Sequence, residues 1–483
     1  MQYFDIIIIG GGAVGCAIAY VLGKQSLNIA LLEKKSDVAM GTSGKNSAVV
    51  HAGFNSRPNS LMAKYCVAGN KKFESICETL DIPYKRTGKL VVGFNDEDMA
   101  IIDSKIADSK KNGCIGISRI NKKKMAVLEP GIAGIGALYS TNTAVFDPFL
   151  YTIHLCEAAI QNGVSFFMNN EVQTIKKESK TFIITTSINE YKCDILINSA
   201  GLYADKVANM AGDTSFTIYP CRGEYLILDT NAGKLINRPV YPVPHQGVGG
   251  LGVHLTTTIY GNVLLGPSAE YINNCEDYST TSLMQDNLFK EAQILLPSLD
   301  KDMIIGSFTG IRPKLVSKGQ ENFGDFIIKE STIVENLINL VGIESPGLTA
   351  SIPIAEKVAE MIKTKKKPRL NIQFKAKYKG MQRFSSLDHR KQNALIKKNK
   401  DYGEVVCRCN IITKAEVLYA LNNPLNAHSL TSIKNRVRTT TGRCQGGYCI
   451  TKLTDIIMNK FNLQPEDVVY RIKGDIPFPG KIK

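Results

Sequence analysis

Phe4-Asp-Ile-Ile-Ile-Ile-Gly-Gly-Gly-Ala-Val-Gly15 decides how this chain folds, because a β-branched run passes directly into a glycine-spaced turn. Residues 6–9 show no polar alternation, which predicts a strand buried on both faces of a parallel sheet. Gly10 permits a tight turn, Gly12 lets backbone approach a pyrophosphate, and Gly15 allows close helix–strand packing. The helix predicted over 16–22 turns its N-terminus toward the phosphates. A second strand predicted over 28–32 ends at Glu33, eighteen residues after Gly15, where an acid accepts from ribose hydroxyls. Residues 247–252 repeat the Gly-x-Gly-x-x-Gly spacing, but a proline-rich stretch precedes them and neither helix nor terminal acid follows. They read as a loop, so one dinucleotide site is expected.

A chain of 483 residues exceeds one compact core and implies two or three domains. Its 44% hydrophobic and 21% charged residues are those of a globular protein. Residues 4–23 are apolar, yet glycines interrupt them and no basic segment precedes them, against a membrane span or signal peptide. Eight of the twelve cysteines (16, 66, 77, 114, 156, 193, 221 and 275) are scattered singly, which favours a reducing compartment and a cytoplasmic location. The net charge of +15 is concentrated, since residues 363–400 hold fourteen Lys or Arg against one acid, Asp388. That stretch lacks a sustained apolar period and reads as a solvated linker over 364–400, with docking of an acidic redox partner as the second reading. Charge without a reader motif gives no case for nucleic acid.

Gly41-Thr-Ser-Gly-Lys-Asn-Ser-Ala-Val-Val-His-Ala-Gly53, with 59–70, resembles the FAD oxidoreductases that include L-2-hydroxyglutarate and glycerol-3-phosphate dehydrogenases. Residues 198–205, 252–256, 261–267 and 341–349 continue the resemblance in order, over about 1–363. It implies an α/β fold: a Rossmann-like FAD-binding domain (1–85, 145–215 and 325–363) interleaved with a sheet-rich substrate domain (86–144 and 216–324). It also implies FAD contacts at Thr42, Ser43, Val172, Gly201, Gly342, Gly347 and Leu348. Residues 342–349 end a strand and open a helix predicted over 352–361, whose N-terminus suits negative charge on the flavin edge.

Oxidising a secondary alcohol requires a hydride acceptor, a base for the hydroxyl proton and cations for any acidic group on the substrate. His51 follows the flavin-contacting segment and is the first candidate base, with a core histidine as the bland reading and a covalent flavin link as a third. His254 is the second candidate. Phe308-Thr-Gly-Ile-Arg-Pro-Lys314 resembles the family's substrate-facing strand, which makes Arg312 a fork for carboxylate or phosphate. Lys314, two residues on, shares that strand face. Arg222 serves fold or substrate equally well.

Cys407-Arg-Cys409 and Cys444-Gln-Gly-Gly-Tyr-Cys449 bring four thiolates into residues 401–483. Zinc accepts four thiolates, but structural zinc pairs usually have two to four intervening residues, and Cys-x-Cys is tighter. The pattern resembles the bacterioferritin-associated-ferredoxin-like [2Fe-2S] domain, a small helical unit, and implies that Cys407, Cys409, Cys444 and Cys449 hold the cluster. Lys434, Arg436, Arg438 and Arg443 are candidates for offsetting its charge. Together the two units read as an FAD-dependent dehydrogenase of a small anionic secondary alcohol, glycerol 3-phosphate first and L-2-hydroxyglutarate second. Electrons then leave through the cluster to a protein or a membrane-linked, quinone-dependent subunit, and that partner accounts for any peripheral membrane association. The contrasting reading makes the C-terminal unit a regulatory or docking module.

Overall fold

The computed structural model of the protein describes residues 1–244, 252–319, 324–472 and 474–478. The strand Gln2–Ile9 runs parallel to Ile29–Leu32 on one side and to Glu190–Asn198 on the other, with Ile6 level with both Ile29 and Ile195. Covered by neighbours on both edges and helices on its face, Ile6, Ile7 and Ile8 are fully buried, which is why an unbroken isoleucine run suits this position. The eight-stranded sheet continues outward through Thr181–Thr186, Val172–Glu178 and Ser165–Phe167, and it takes Leu337–Val341 beside Glu190–Asn198. The helix begins at Ala13, three residues before the expected start, since the glycine turn itself supplies its first turn.

Helices Pro148–Gln161 and Gly347–Lys366 flank Ala13–Leu22 in the main apolar core. Helix Leu61–Thr79 crosses Gly347–Lys366 so closely that a Cβ on Gly69 would lie 1.9 Å from the Thr349 carbonyl oxygen. That crossing ties the segment carrying His51 to the start of the later helix.

The second sheet has nine strands among the described residues, and the chain enters it from 89–140 and again from 219–314. Its side chains alternate with period two. Leu90, Leu226, Val240 and Leu255 face helix Ser282–Leu295 through Leu288, Phe289 and Ala292. Tyr225, Tyr241 and His254, one residue out of step, look toward the first sheet and line the space between them. The Gly-x-Gly-x-x-Gly at 247–252 lies outside the described residues apart from Gly252.

Residues 364–400 do not hang free as the sequence reading expected. The helix runs on to Lys366, and the chain then lies against the flavin-side core. Asn371 N–H donates to the Lys24 carbonyl at 2.9 Å, Tyr20 donates to the Ala376 carbonyl at 2.9 Å, and the Tyr378 hydroxyl bonds the Glu157 carboxylate. Phe374 packs on Tyr20, and Phe384 is buried. Over 367–388 spaced aromatic anchors do this without any helical or strand period, before helix His389–Lys398 begins, so the basic side chains conceal a strap.

The C-terminal unit builds its own core from Val406 and Ile412 on the short strands Val405–Cys407 and Ile412–Thr413, with Val417, Leu421, Ile433, Val437, Leu453 and Ile457 on helices Lys414–Leu421, Leu430–Val437 and Ile450–Phe461. Thr413 and Glu416 close the first of these helices with a capping box. The unit is clamped to the flavin side by Arg436, whose guanidinium meets both oxygens of Asp37 at 2.5 and 3.2 Å and lies 3.6 Å from Glu157. Asp37 and Arg436 are 0% and 5% exposed. Removing one member of a buried pair costs about 3–5 kcal/mol, because the other charge stays desolvated. Arg436→Ala is therefore expected to destabilise the docked form by about that amount. In calorimetry the single unfolding transition should split, with the C-terminal unit melting first.

Candidate flavin and thiolate sites

A cavity of about 460 Å³ lies between the two sheets, and each end presents different chemistry. At the glycine end, Gly10 has φ +108°, and a Cβ there would lie 2.6 Å from the Ser199 carbonyl oxygen. A Cβ on Gly15 would lie 2.0 Å from the Gly10 carbonyl oxygen, so the helix sits as close to the turn as backbone allows. Gly12 caps the helix with no side chain of its own, which leaves room for an anion at the N-terminus beside the Ser43 hydroxyl. Ser43 Oγ accepts from Ala13 N–H at 2.9 Å. Glu33 Oε2 accepts from Gly11 N–H at 2.6 Å and Oε1 from Lys35 N–H at 2.8 Å. Burial pushes the Glu33 carboxyl up while these two N–H groups pull it down. Each oxygen keeps a lone pair for ribose. An open helix end, a glycine turn that excludes side chains and an acid beyond it fit an adenine dinucleotide.

Val172, Gly201, Gly347 and Leu348 line the same cavity. Thr42 lines it too, though its hydroxyl is engaged in donating to the Ile311 carbonyl at 2.8 Å. Gly342 is not on the wall. It makes the turn behind it, at φ +69°, where a Cβ would strike Leu315 at 2.3 Å. The helix over this end starts at Gly347, five residues before the expected start, which brings its first N–H groups to the cavity.

The far end gathers His51, His254, Arg312, Tyr225, Tyr241 and Ser345. His51 is held at three points: its N–H donates to Thr349 Oγ1 at 3.1 Å, its carbonyl accepts from Asn70 Nδ2 at 3.0 Å, and Nε2 lies 3.3 Å from Ser345 Oγ. Burial, with Lys89 adding to it, pushes His51 down to about 3, so its imidazole is neutral at pH 7. Arg312 Nη2 donates to the Ser268 carbonyl at 2.5 Å. Its Nε and Nη1 make no hydrogen bond among the described residues, and these donors remain for a bound anion. His254 stacks on Tyr241 with ring centroids 3.4 Å apart.

Two expectations change here. Lys314 does not line the cavity. It pairs with the half-buried carboxylate of Glu344 at 3.6 Å, and Glu344 takes the wall position instead. Arg222 belongs to the fold, with Glu270 at 2.6 Å and Asp277 at 2.8 Å. Sequence reading missed Tyr225 and Tyr241. Their signal was the period-two alternation against Leu226 and Val240, which shows a second face but not what faces it.

The four C-terminal cysteines stand as two close pairs. Cys409 and Cys444 are exposed with sulfurs 3.6 Å apart, while Cys407 and Cys449 are buried side by side. Among the described residues they are not drawn into one single-ion cage. The Cys407 thiol is lowered to about 6 by Cys449 and by the N–H groups of Asn410, Thr440 and Cys409. Cys444 is lowered by the N–H groups of Tyr448 and Gly446. Backbone donors aimed at sulfur fit an anionic cluster held two thiolates to a side. A Cβ on Gly442 would lie 2.2 Å from Cys409 Cβ. Arg436, expected to offset cluster charge, is committed to Asp37 instead. Arg438 reaches across the seam to lie 3.8 Å over the Tyr260 ring.

Comparison with known proteins agrees with both cofactors. Residues 5–361 match the family of FAD dependent oxidoreductases, and residues 405–459 match the BFD-like [2Fe-2S] binding domain. The chain is 34% identical over 483 residues to a glycerol 3-phosphate dehydrogenase of Caloramator mitchellensis, covering 99% of each. It is 30% identical over 398 residues to a mitochondrial L-2-hydroxyglutarate dehydrogenase of Caenorhabditis elegans, covering 74% of this chain and 92% of that protein. The dithionite-reduced L-α-glycerophosphate oxidase of Mycoplasma pneumoniae, solved with FAD bound, superposes with TM-score 0.73 at 30% identity. That match covers 78% of this chain and 99% of the oxidase. Gly15→Ala must push the helix off the turn, and the variant is expected to purify without the yellow FAD absorbance that the unaltered chain retains.

Proposed function

The chain belongs to the FAD-dependent oxidoreductases and carries a BFD-like [2Fe-2S] domain, and from that premise we propose that it is a dehydrogenase of glycerol 3-phosphate. Electrons leave through the cluster to a protein or quinone-linked acceptor. The observation that carries this reading is the extent of similarity to the glycerol 3-phosphate dehydrogenase, which continues through the C-terminal unit over 99% of both chains. The exposed Cys409–Cys444 edge supports an outward exit, because an acceptor can approach it directly.

FAD, when bound, supplies the acceptor for the hydride leaving the alcohol carbon. The chain's own residues do the rest. Arg312, anchored through Nη2, offers its free donors to the phosphate and fixes the substrate's orientation. Neutral His51 Nε2 takes the hydroxyl proton as the carbon–hydrogen bond breaks and the alcohol becomes a ketone. Thr349 holds the His51 backbone, and the Ser345 hydroxyl lies beside the imidazole. Tyr225 and Tyr241 shield the reacting carbon from water. L-2-hydroxyglutarate is the second reading, favoured by the 30% identity to its dehydrogenases and by an arginine fork that suits carboxylates equally.

Anaerobic addition of each substrate in turn tests the choice: glycerol 3-phosphate should bleach the flavin's visible absorbance, and bleaching by L-2-hydroxyglutarate alone would transfer the assignment. Cys444→Ser should leave that bleaching intact while stopping onward reduction of a one-electron acceptor; unimpaired onward transfer would make the C-terminal unit a regulatory module. Arg312→Met should raise KM by roughly 10- to 100-fold, the worth of a charge-assisted hydrogen bond. Because His51 sits below the ordinary histidine value of 6.5, its base form persists in acid. kcat/KM should therefore show no histidine limb at pH 6.5, and its acid limb should appear only as pH falls further.

A further inference from the structure

Lys89 begins the strand Lys89–Gly93, is 1% exposed, and has no carboxylate paired with it among the described residues. A buried ammonium without a counter-charge is costly, so its surroundings must favour it in some other way. Two aromatic faces do so, with Nζ 3.7 Å from the Tyr241 ring centroid and 4.9 Å from that of Phe54. A cation held against ring faces away from water is attracted by the negative charge of the π system. Tyr241 is held between this cation and the His254 imidazole, which is stacked on it at an interplanar angle of 9°. The sheet register makes the column possible: Leu90 pairs with Val240 and Val91 with Tyr241 on parallel strands, and His254 stands on the adjoining strand His254–Thr257. Tyr241 and His254 line the cavity and Lys89 does not.

We propose that Lys89 is a positioning residue of the redox site, a buried cation that in its charged form clamps the Tyr241–His254 stack against the substrate cavity. Burial, then Lys105, pushes Lys89 down to about 7, while Cys66 and the two ring faces act in the other direction. The charged groups and titratable groups around it are Lys105, Cys66, Cys114, His51 and Tyr241. Burial raises Cys114 to about 11 and lifts Cys66 and Tyr241 as well, and it lowers His51 to about 3. Lys105 is lowered. A group with a depressed lysine value loses its proton as pH rises through that value, so the clamp holds on the acid side and loosens as pH rises through about 7.

The test uses the full-length holoenzyme with labelled histidine, six residues in all, and His254→Gln to assign one signal. The His254 ring resonance, displaced by the Tyr241 ring current, should move as pH rises from about 6 to about 8, through the lowered Lys89 value, in the unaltered chain. It should stay fixed in Lys89→Arg, whose charge persists. In Lys89→Met it should sit at the alkaline position throughout. The kinetic arm rests on the proposed alcohol oxidation: kcat/KM should fall about tenfold over the same interval and stay level in Lys89→Arg. A His254 signal that does not move, or one that moves equally in Lys89→Arg, overturns the proposal. The resonance is read without substrate, so failure of the oxidation reading leaves this arm decisive. If Lys89→Met does not fold, the arginine comparison still decides.

Discussion

The contact between Gly15 and the Gly10 carbonyl, where a Cβ would stand 2.0 Å from oxygen, sets the geometry on which the rest of the molecule is built. It seats helix Ala13–Leu22 directly on the end of the strand Gln2–Ile9. The helix N-terminus and Glu33 then share one crevice at the carboxyl ends of the parallel strands. Helices Pro148–Gln161 and Gly347–Lys366 pack on the same helix, so its position carries through to His51 by way of Thr349. A nucleotide-binding turn near residue 10 thereby fixes a histidine and a hydroxyl separated by almost three hundred residues.

The opposite wall of the cavity obeys a different constraint. A sheet with one face on an apolar helix has its other face available, and here that face carries two tyrosines, a histidine and, on a neighbouring strand, an arginine. Charges around it are paired with some economy. Arg222 and Lys314 are consumed by carboxylates, which leaves Arg312 with donors directed at the cavity. Beneath the wall, Lys89 has aromatic faces instead of a carboxylate.

The C-terminal unit is held rather than tethered. The strap over 367–388 is stapled to the flavin side by backbone and tyrosine hydrogen bonds, and the Arg436–Asp37 pair closes the seam. A fixed seam sets a fixed relation between the two redox centres, whereas a solvated linker would leave it to diffusion. Of the four cysteines, Cys407 and Cys449 are buried in the unit and Cys409 and Cys444 are exposed, so a cluster held by them would have an inner and an outer side.

Local patterns in the sequence determined the parallel strand, the glycine turn, the terminal acid and the two cysteine pairs. Each depends on backbone spacing within a few residues, and spacing survives whatever the rest of the chain does. The same local logic failed over 364–400, where Phe374, Tyr378 and Phe384 are too far apart to make a period yet each finds a partner, and basic residues between them hid the anchoring. It also gave Lys314 to the substrate when Glu344, thirty residues on, neutralises it. Only the tertiary structure decided which cations are spent, which histidine is neutral and which tyrosines form the wall. Desolvation and charge pairing depend on neighbours brought in from distant segments, and no window of sequence contains them.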